Sequence, residues 1–382
     1  MGERIRQAGA VAWAVVGLAT LLALLGLVAW YLRVVWPPLV LAGAIVFILN
    51  PVVTWEQRHS IPRALGTALA YLALAAAVGI AALLAYPLAA DQAEELGDEW
   101  PQIRADLEAR VDDWAEATRN WPIPIPTWGE LEDEFGNNDS DADRDSIAER
   151  VEQVRDIGLR IFHVGIIFVL GPIIAFYLLV DLPRLRQVAL GLIPERSEQE
   201  VLLVASRLNR AIGGFFRGQL AVAAIVGVMV SIGLAIIGLP FWLLVGMVAG
   251  LANLVPLIGP WVGGIPGVVI ALTTRDVSTA VWVVVVMAVA QQIDNHFISP
   301  IVMQRAVKLH PAAVMIALLA GGTLGGFFGL LVAVPTAAVL KIIVGHLWRT
   351  YVLGEPLEEV AARSHEEDAK PGVGFVEDVV DT

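Results

Sequence analysis

From residue 218 to residue 274 the chain runs for 57 positions without one charged side chain. A helix needs about 20 apolar residues to cross the hydrocarbon core of a bilayer. Within lipid, only internally hydrogen-bonded backbone is stable. The run therefore predicts two spans, or one span plus a broken hairpin. Other charge-free runs fall at residues 8–32, 34–53, 64–90 and 161–180, each long enough for one span. Residues 277–293 predict a short span, and 309–340 one tilted helix or two half-helices. With 57% hydrophobic and 16% charged residues, the chain is far less charged than a soluble domain, which carries about 25%. The expected fold is an all-α polytopic membrane protein with about eight membrane segments.

The net charge of −13 is concentrated. Residues 89–156 hold 21 acidic residues and six arginines, a local sum of −15, which leaves +2 for the remainder. Lys and Arg on short loops mark the cytoplasmic side. Here they cluster at Arg4 and Arg6, at Arg58 and Arg63, and from Arg184 to Arg217. If the first four runs each cross once, all three clusters share one face and the acidic segment lies outside. The N- and C-termini are then cytoplasmic, in a bacterial-type inner membrane.

Five units are expected. These are residues 1–88 with the first three spans, an acidic extracytoplasmic loop domain at 89–156, and the fourth span with its basic segment at 157–217. A C-terminal transport core follows at 218–350, then an acidic tail at 351–382. Within 89–156, Leu96, Trp100, Ile103, Leu107, Val111 and Trp114 recur at helical spacing. Pro122, Pro124 and Pro126 require extended chain, and residues 136–145 read as a flexible loop.

Simple alternation would place Arg305 and Lys308 outside. They return to the cytoplasmic side if residues 241–274 enter from outside, turn near Pro256–Pro260 and leave the same way. Pro256, Gly259, Pro260, Gly263, Gly264 and Pro266 supply the breaking residues, and Gly325, Gly326 and Pro335 give the following long run the same character. Interrupted membrane helices point to a substrate pathway. The alternative is that the glycines serve only close helix packing.

In this half, Gly250-Leu-Ala-Asn-Leu-Val-Pro-Leu-Ile-Gly-Pro-Trp-Val-Gly-Gly-Ile-Pro266 resembles the signature of the autoinducer-2 exporter family of permeases. Gln291-Gln-Ile-Asp-Asn-His-Phe-Ile-Ser-Pro300, Lys308-Leu-His-Pro311 and Val334-Pro335 resemble its closing region. Ile48-Leu-Asn-Pro51 with Ile61-Pro-Arg63 is similar to its second-to-third-span junction. The acidic segment and the tail lie outside the resemblance. It implies a membrane transporter, for export of autoinducer-2 or for sodium/proton antiport, working as a homo-oligomer with a pentamer as one candidate state.

Asp294 stands at a span end among Gln291, Gln292 and Asn295. An intramembrane ionisable group is expensive to bury, so Asp294 is read as the candidate proton- or cation-coupling residue, with Gln291 and Asn295 beside it. Asn253, just before Pro256, is a candidate ligand for a substrate hydroxyl or a cation. The bland alternatives are a solvated or capping Asp294 and a helix-capping Asn253. Asn50 reads as a helix stop, His296 and His310 as interfacial, and Trp261 as a side chain able to close over cargo.

The chain has no cysteine, which removes disulfides, thiolate metal sites and thiol nucleophiles. Phosphate-binding loops, His-Glu-x-x-His and Gly-x-Ser-x-Gly elbows are missing too. The expectation is therefore a non-enzyme with no cofactor, no metal and no nucleic-acid partner. It would be a permease moving a small polar solute, driven by a proton or sodium gradient. A second reading is a membrane scaffold whose acidic loop binds a partner.

Overall fold

The computed structural model describes residues 35–119, 126–130, 147–256, 258–303 and 309–360, with Thr20 and Ala362. For residues 147–163 and Met303 only the backbone is described. The run at 8–32, the loop at 136–145, Arg305, Lys308 and the chain beyond Ala362 lie outside the described residues.

The described secondary structure is helical throughout. Its helices are α1 (Trp36–Arg58), α2 (Arg63–Thr118), α3 (Ile147–Gly191), α4 (Glu195–Ile236), α5 (Trp242–Ala252), α6 (Gly259–Thr274), α7 (Val277–Ile293), the short α8 (Ser299–Met303) and α9 (Pro311–Leu347). A π-helical turn, Asp294–Ile298, joins α7 to α8. Among the described residues, six helical stretches are long and apolar enough to cross a membrane, while α5 and α6 are shorter apolar helices. The molecule is an all-α, multi-pass membrane protein.

The first three helices are fastened by one guanidinium. Arg63, at the start of α2, donates to the Leu179 carbonyl of α3 at 2.7 Å, to Asn50 Oδ1 of α1 at 2.8 Å and to Gln57 Oε1 at 2.9 Å. Asn50 is therefore no helix stop, because α1 continues through Pro51 to Arg58. Its amide serves as an acceptor for Arg63. Tyr71 adds a second tie between α2 and α3, donating to the Pro172 carbonyl at 2.8 Å.

At 1.5 Å per residue, the 56 residues of α2 extend about 84 Å, far more than a bilayer core of about 30 Å. The acidic residues up to Glu116 thus continue the helix that starts at Arg63, and no secondary-structure break falls between residues 88 and 89. Helices α3 and α4 likewise run through the expected boundaries at 156/157 and 217/218. Of the periodic residues in the acidic part, Ile103 and Val111 are buried, whereas Trp100 and Trp114 are exposed. Leu96 and Ile103 pack into the same apolar cluster as Leu239, Phe241, Val245 and Val283.

Residues 241–274 form a hairpin of two short arms. Helix α5, at 11 residues, reaches only about 17 Å and cannot cross the core. The chain turns through Asn253–Ile258 with short-range bonds from Leu254 N to Leu251 O and from Val255 N to Ala252 O. The break is narrower than the glycine-proline pattern predicts. Gly259, Pro260, Gly263, Gly264 and Pro266 all lie within the helical span of α6. The physical reason is packing: Gly259, Gly263 and Gly267, four residues apart, face Asn253, Ala249 and Val245 of α5. A Cβ on Gly259 would stand 2.7 Å from Asn253 Cβ, and one on Gly263 2.9 Å from Ala249 Cα. Close burial of the two arms offsets the helix cost of each glycine, about 1 kcal/mol. Helix α5 also packs tightly on α4, where a Cβ on Gly227 would meet Gly250 Cα at 3.1 Å.

Helix α9 is a second hairpin. Gly326 has φ 56° and ψ −138°, outside helical space and open mainly to glycine. A straight helix would separate residues eight apart by about 12 Å. Instead, a Cβ on Gly329 would strike the Gly321 carbonyl, and one on Gly322 would lie 3.2 Å from Leu330 Cδ2. The chain reverses at Gly325–Gly326. Pro335, grouped by sequence with the break, sits inside the helical second arm. At the far end of this arm the buried His346 ring, through Nε2, meets Glu200 Oε1 of α4 at 2.8 Å, and Tyr351 donates to Glu200 Oε2 at 3.3 Å. Asp276 caps α7 in the turn after α6. Hydrogen bonds from the Thr279 backbone N–H and hydroxyl hold its carboxyl below the usual carboxylate range.

Candidate functional site

The turn of the first hairpin, the end of α7 and the base of the second hairpin meet against α4 around a cavity of about 190 Å³. Its polar walls are Gln219 from α4, Asn253 from the hairpin turn, and Gln291, Asp294, Asn295 and Ser299 from α7 onward. Phe215, Val222, Pro256, Leu309, Val314 and Val334 supply the apolar part. The four residues singled out by sequence, Asp294, Asn295, Gln291 and Asn253, thus share one cavity. Gln219 and Ser299 were not anticipated, although Gln219 is a lone amide in an otherwise apolar stretch of α4.

Local structure explains the arrangement. Asp294 opens the π-helical turn, where the wider winding brings Ser299, five residues on, over its carboxylate. Ser299 Oγ donates to Asp294 Oδ1 at 2.7 Å. Asp294 is only 5% exposed, which excludes the solvated-interface alternative. Gln291 Nε2 donates to Asn295 Oδ1 at 2.8 Å. Asn295 is exposed and Gln291 half-buried, so this pair stands outward of the Asp294 carboxylate.

Asn253, 2% exposed, ends α5 at the point where intrahelical acceptors run out. Its backbone carbonyl accepts a short hydrogen bond from Gln219 Nε2, which ties the hairpin turn to α4. Its side-chain Nδ2 is buried and has no hydrogen-bond partner among the described residues. Such a group costs roughly 1–3 kcal/mol when left unsatisfied, and here it lies in the cavity wall.

The remaining candidates lie elsewhere. His296 Nδ1 donates to the Gln292 carbonyl at 3.0 Å, and His310 caps α9 by accepting from Ala312 N at 3.1 Å. Trp261 is 72% exposed and does not line the cavity. Among the described residues no group of three or more His, Cys, Asp or Glu side chains could hold a metal ion.

Long apolar helices and two interrupted hairpins, with a mixed polar and apolar cavity beside them, define a multi-pass membrane protein. A profile of AI-2E family transporters matches residues 18–349, and the chain belongs to that family. It is 27% identical to YrrI of Bacillus subtilis strain 168, provisionally named as a transport protein, over 83% of this chain and 88% of the relative. A Mycobacterium tuberculosis protein with the same provisional designation, MT0215, is 28% identical over 94% of each chain. A sodium-lithium/proton antiporter of Halobacillus andaensis is 24% identical over 76% of this chain and 84% of the relative.

Proposed function

We propose that this protein is a secondary transporter exporting a small polar solute through the cavity at Asn253 and Asp294. The observation that carries this reading is the unpartnered Asn253 amide in the same cavity as the Asp294 carboxylate. The amide N–H needs an acceptor, and the carboxylate, which already accepts from Ser299 at Oδ1, can take a further donor at Oδ2. A hydroxyl provides both, so a hydroxylated solute satisfies the pair where a bare cation satisfies only the oxygens. A furanose-like signalling molecule of the autoinducer-2 type has this chemistry, and the family description favours it.

In this reading the acidic end of α2 is extracytoplasmic and both termini are cytoplasmic, following the distribution of Lys and Arg. The first hairpin then enters from outside and the second from the cytoplasm, and the turn of the first and the base of the second border one site. With the run at 8–32, the chain has about eight membrane segments. It works as a homo-oligomer, and a proton or sodium gradient supplies the driving force through Asp294.

A second reading is sodium/proton antiport without organic cargo. It is favoured by the Halobacillus andaensis relative's name and by the single carboxylate among neutral amides. Counterflow of labelled autoinducer-2 in proteoliposomes, with a pH-sensitive dye in parallel vesicles, separates the two. Saturable counterflow supports solute export. Sodium-dependent proton movement without counterflow replaces it with antiport, and silence in both assays rejects antiport and autoinducer-2 as the cargo.

A further inference from the structure

A second cavity, about 250 Å³, lies between α1, α4 and the returning arm of α9. Gly43 and Phe47, Ile212 and Phe216, and Pro335 and Thr336 face it. The Thr336 hydroxyl is the one side-chain polar group in this lining, and Phe47 stacks on Phe216 with centroids 6.2 Å apart. Space is open at Gly43, where an added Cβ would meet nothing within 4 Å.

Arg217 reaches this groove through the backbone of Phe47, one of the lining residues. Its Nη1 donates to the Phe47 carbonyl at 2.7 Å, and the guanidinium folds back over Gly213, 3.0 Å from where a Cβ would stand. No carboxylate among the described residues pairs with it. Arg217 is the last charge before the 57-residue uncharged run, and Phe47 lies inside the charge-free run of α1. The guanidinium is exposed, and among the described residues four of its five N–H donors have no protein acceptor.

We propose that this groove binds an anionic phospholipid, with an acyl chain between α1, α4 and α9 and its phosphate on the Arg217 guanidinium. Charge selects this occupant. The planar guanidinium suits a phosphate bidentately, and basic pockets between membrane helices hold anionic headgroups. A polar solute would find one hydroxyl in the groove. The uncharged run at 8–32 could fill the space but brings no acid to Arg217. The site is separate from the Asn253–Asp294 cavity, with which it shares no lining residue.

The test uses delipidated full-length protein in detergent, titrated with phosphatidylglycerol or with phosphatidylcholine of the same acyl chains and read by native mass spectrometry. The expected result is preferential retention of phosphatidylglycerol, lowered about tenfold by Arg217→Gln, as for loss of one charge-assisted contact, and lowered less by Arg217→Lys. Gly43→Leu, which fills the groove and leaves Arg217 in place, is expected to lower retention as well, in protein that elutes like the parent. Equal retention of both lipids, unchanged retention in Arg217→Gln or Gly43→Leu, or equal competition by soluble glycerol phosphate would each overturn the proposal. So would efficient disulfide formation between Gly43→Cys and single cysteines placed along residues 8–32, a clean test because the chain has no cysteine of its own.

Discussion

Gln92 caps the first hairpin from a distance of 151 residues: its Oε1 accepts from the backbone N–H of Leu243 at 3.2 Å, and from that of Leu244 at 3.4 Å. Helix α5 starts after Phe241, in the left-handed region at φ 57°, and has no capping side chain of its own. The buried Gln92 amide, on α2, supplies the missing acceptor. The acidic extension of α2 is thereby fastened to the start of the hairpin whose turn lines the candidate site.

Gln92→Leu leaves both N–H groups without this acceptor and is expected to destabilise the protein by about 1–2 kcal/mol, the usual cost of a lost N-cap. Gln92→Glu replaces the accepting amide oxygen with a carboxylate oxygen at the helix N-terminus, where negative charge is favoured, and is expected to retain most of the stability. Thermal unfolding in detergent micelles compares the two. A Leu variant as stable as the Glu variant would show that the cap contributes nothing.

Asp294→Asn preserves shape and an acceptor for the Ser299 hydroxyl, which donates to Oδ1 at 2.7 Å, while removing the charge. If Asp294 carries the coupled proton or cation, the variant should still exchange solute in counterflow but lose gradient-driven flux by tenfold or more, about 1.4 kcal/mol or greater. Unchanged gradient-driven flux in a folded, assembled variant rules out the coupling role.

The gathering of Asp294, Asn295, Gln291 and Asn253 into one cavity rests on features legible in the sequence: polar residues at the ends of apolar runs and next to Pro256. Helical periodicity likewise showed that residues 91–118 could be helix. It could not show that this helix continues the third span or that Ile103 belongs to the apolar cluster of the C-terminal half, because those depend on contacts more than 100 residues apart. Glycine content misplaced the first break for a related reason. Gly259 and Gly263 weaken an isolated helix, yet only the facing surface of α5 determines that they pack as helix. Gln219 escaped notice because its hydrogen bond goes to a main-chain carbonyl, a partner invisible to any reading of side-chain spacing.

Arg63→Lys tests whether the three-helix junction depends on the guanidinium fork. Lysine keeps the charge but cannot span the Leu179 carbonyl, Asn50 and Gln57 with fixed planar geometry. A loss of about 1–3 kcal/mol is expected, discounted from the sum of three bonds because the Gln57 contact is exposed. Asn50→Ala should cost less in the parent and little in the Arg63→Lys background. Additive losses in this double-mutant cycle would deny the coupling.

The second hairpin makes the sharpest demand on residue size. At Gly329 a Cβ would collide with the Gly321 carbonyl, so the two arms cannot keep their separation with any other residue there. Backbone must move, and overpacking of this kind typically costs 1–3 kcal/mol. At Gly326 there is open space for a Cβ, but its φ of 56° with ψ −138° strains any L-residue by about 1–3 kcal/mol. Gly329→Val should therefore lower folded yield and thermal stability through a steric clash, and Gly326→Ala through backbone strain. Gly325, with open space and no positive φ, should accept alanine almost without loss. Equal tolerance of alanine at 325 and 326, measured by unfolding temperature, would mean that α9 does not reverse at Gly326.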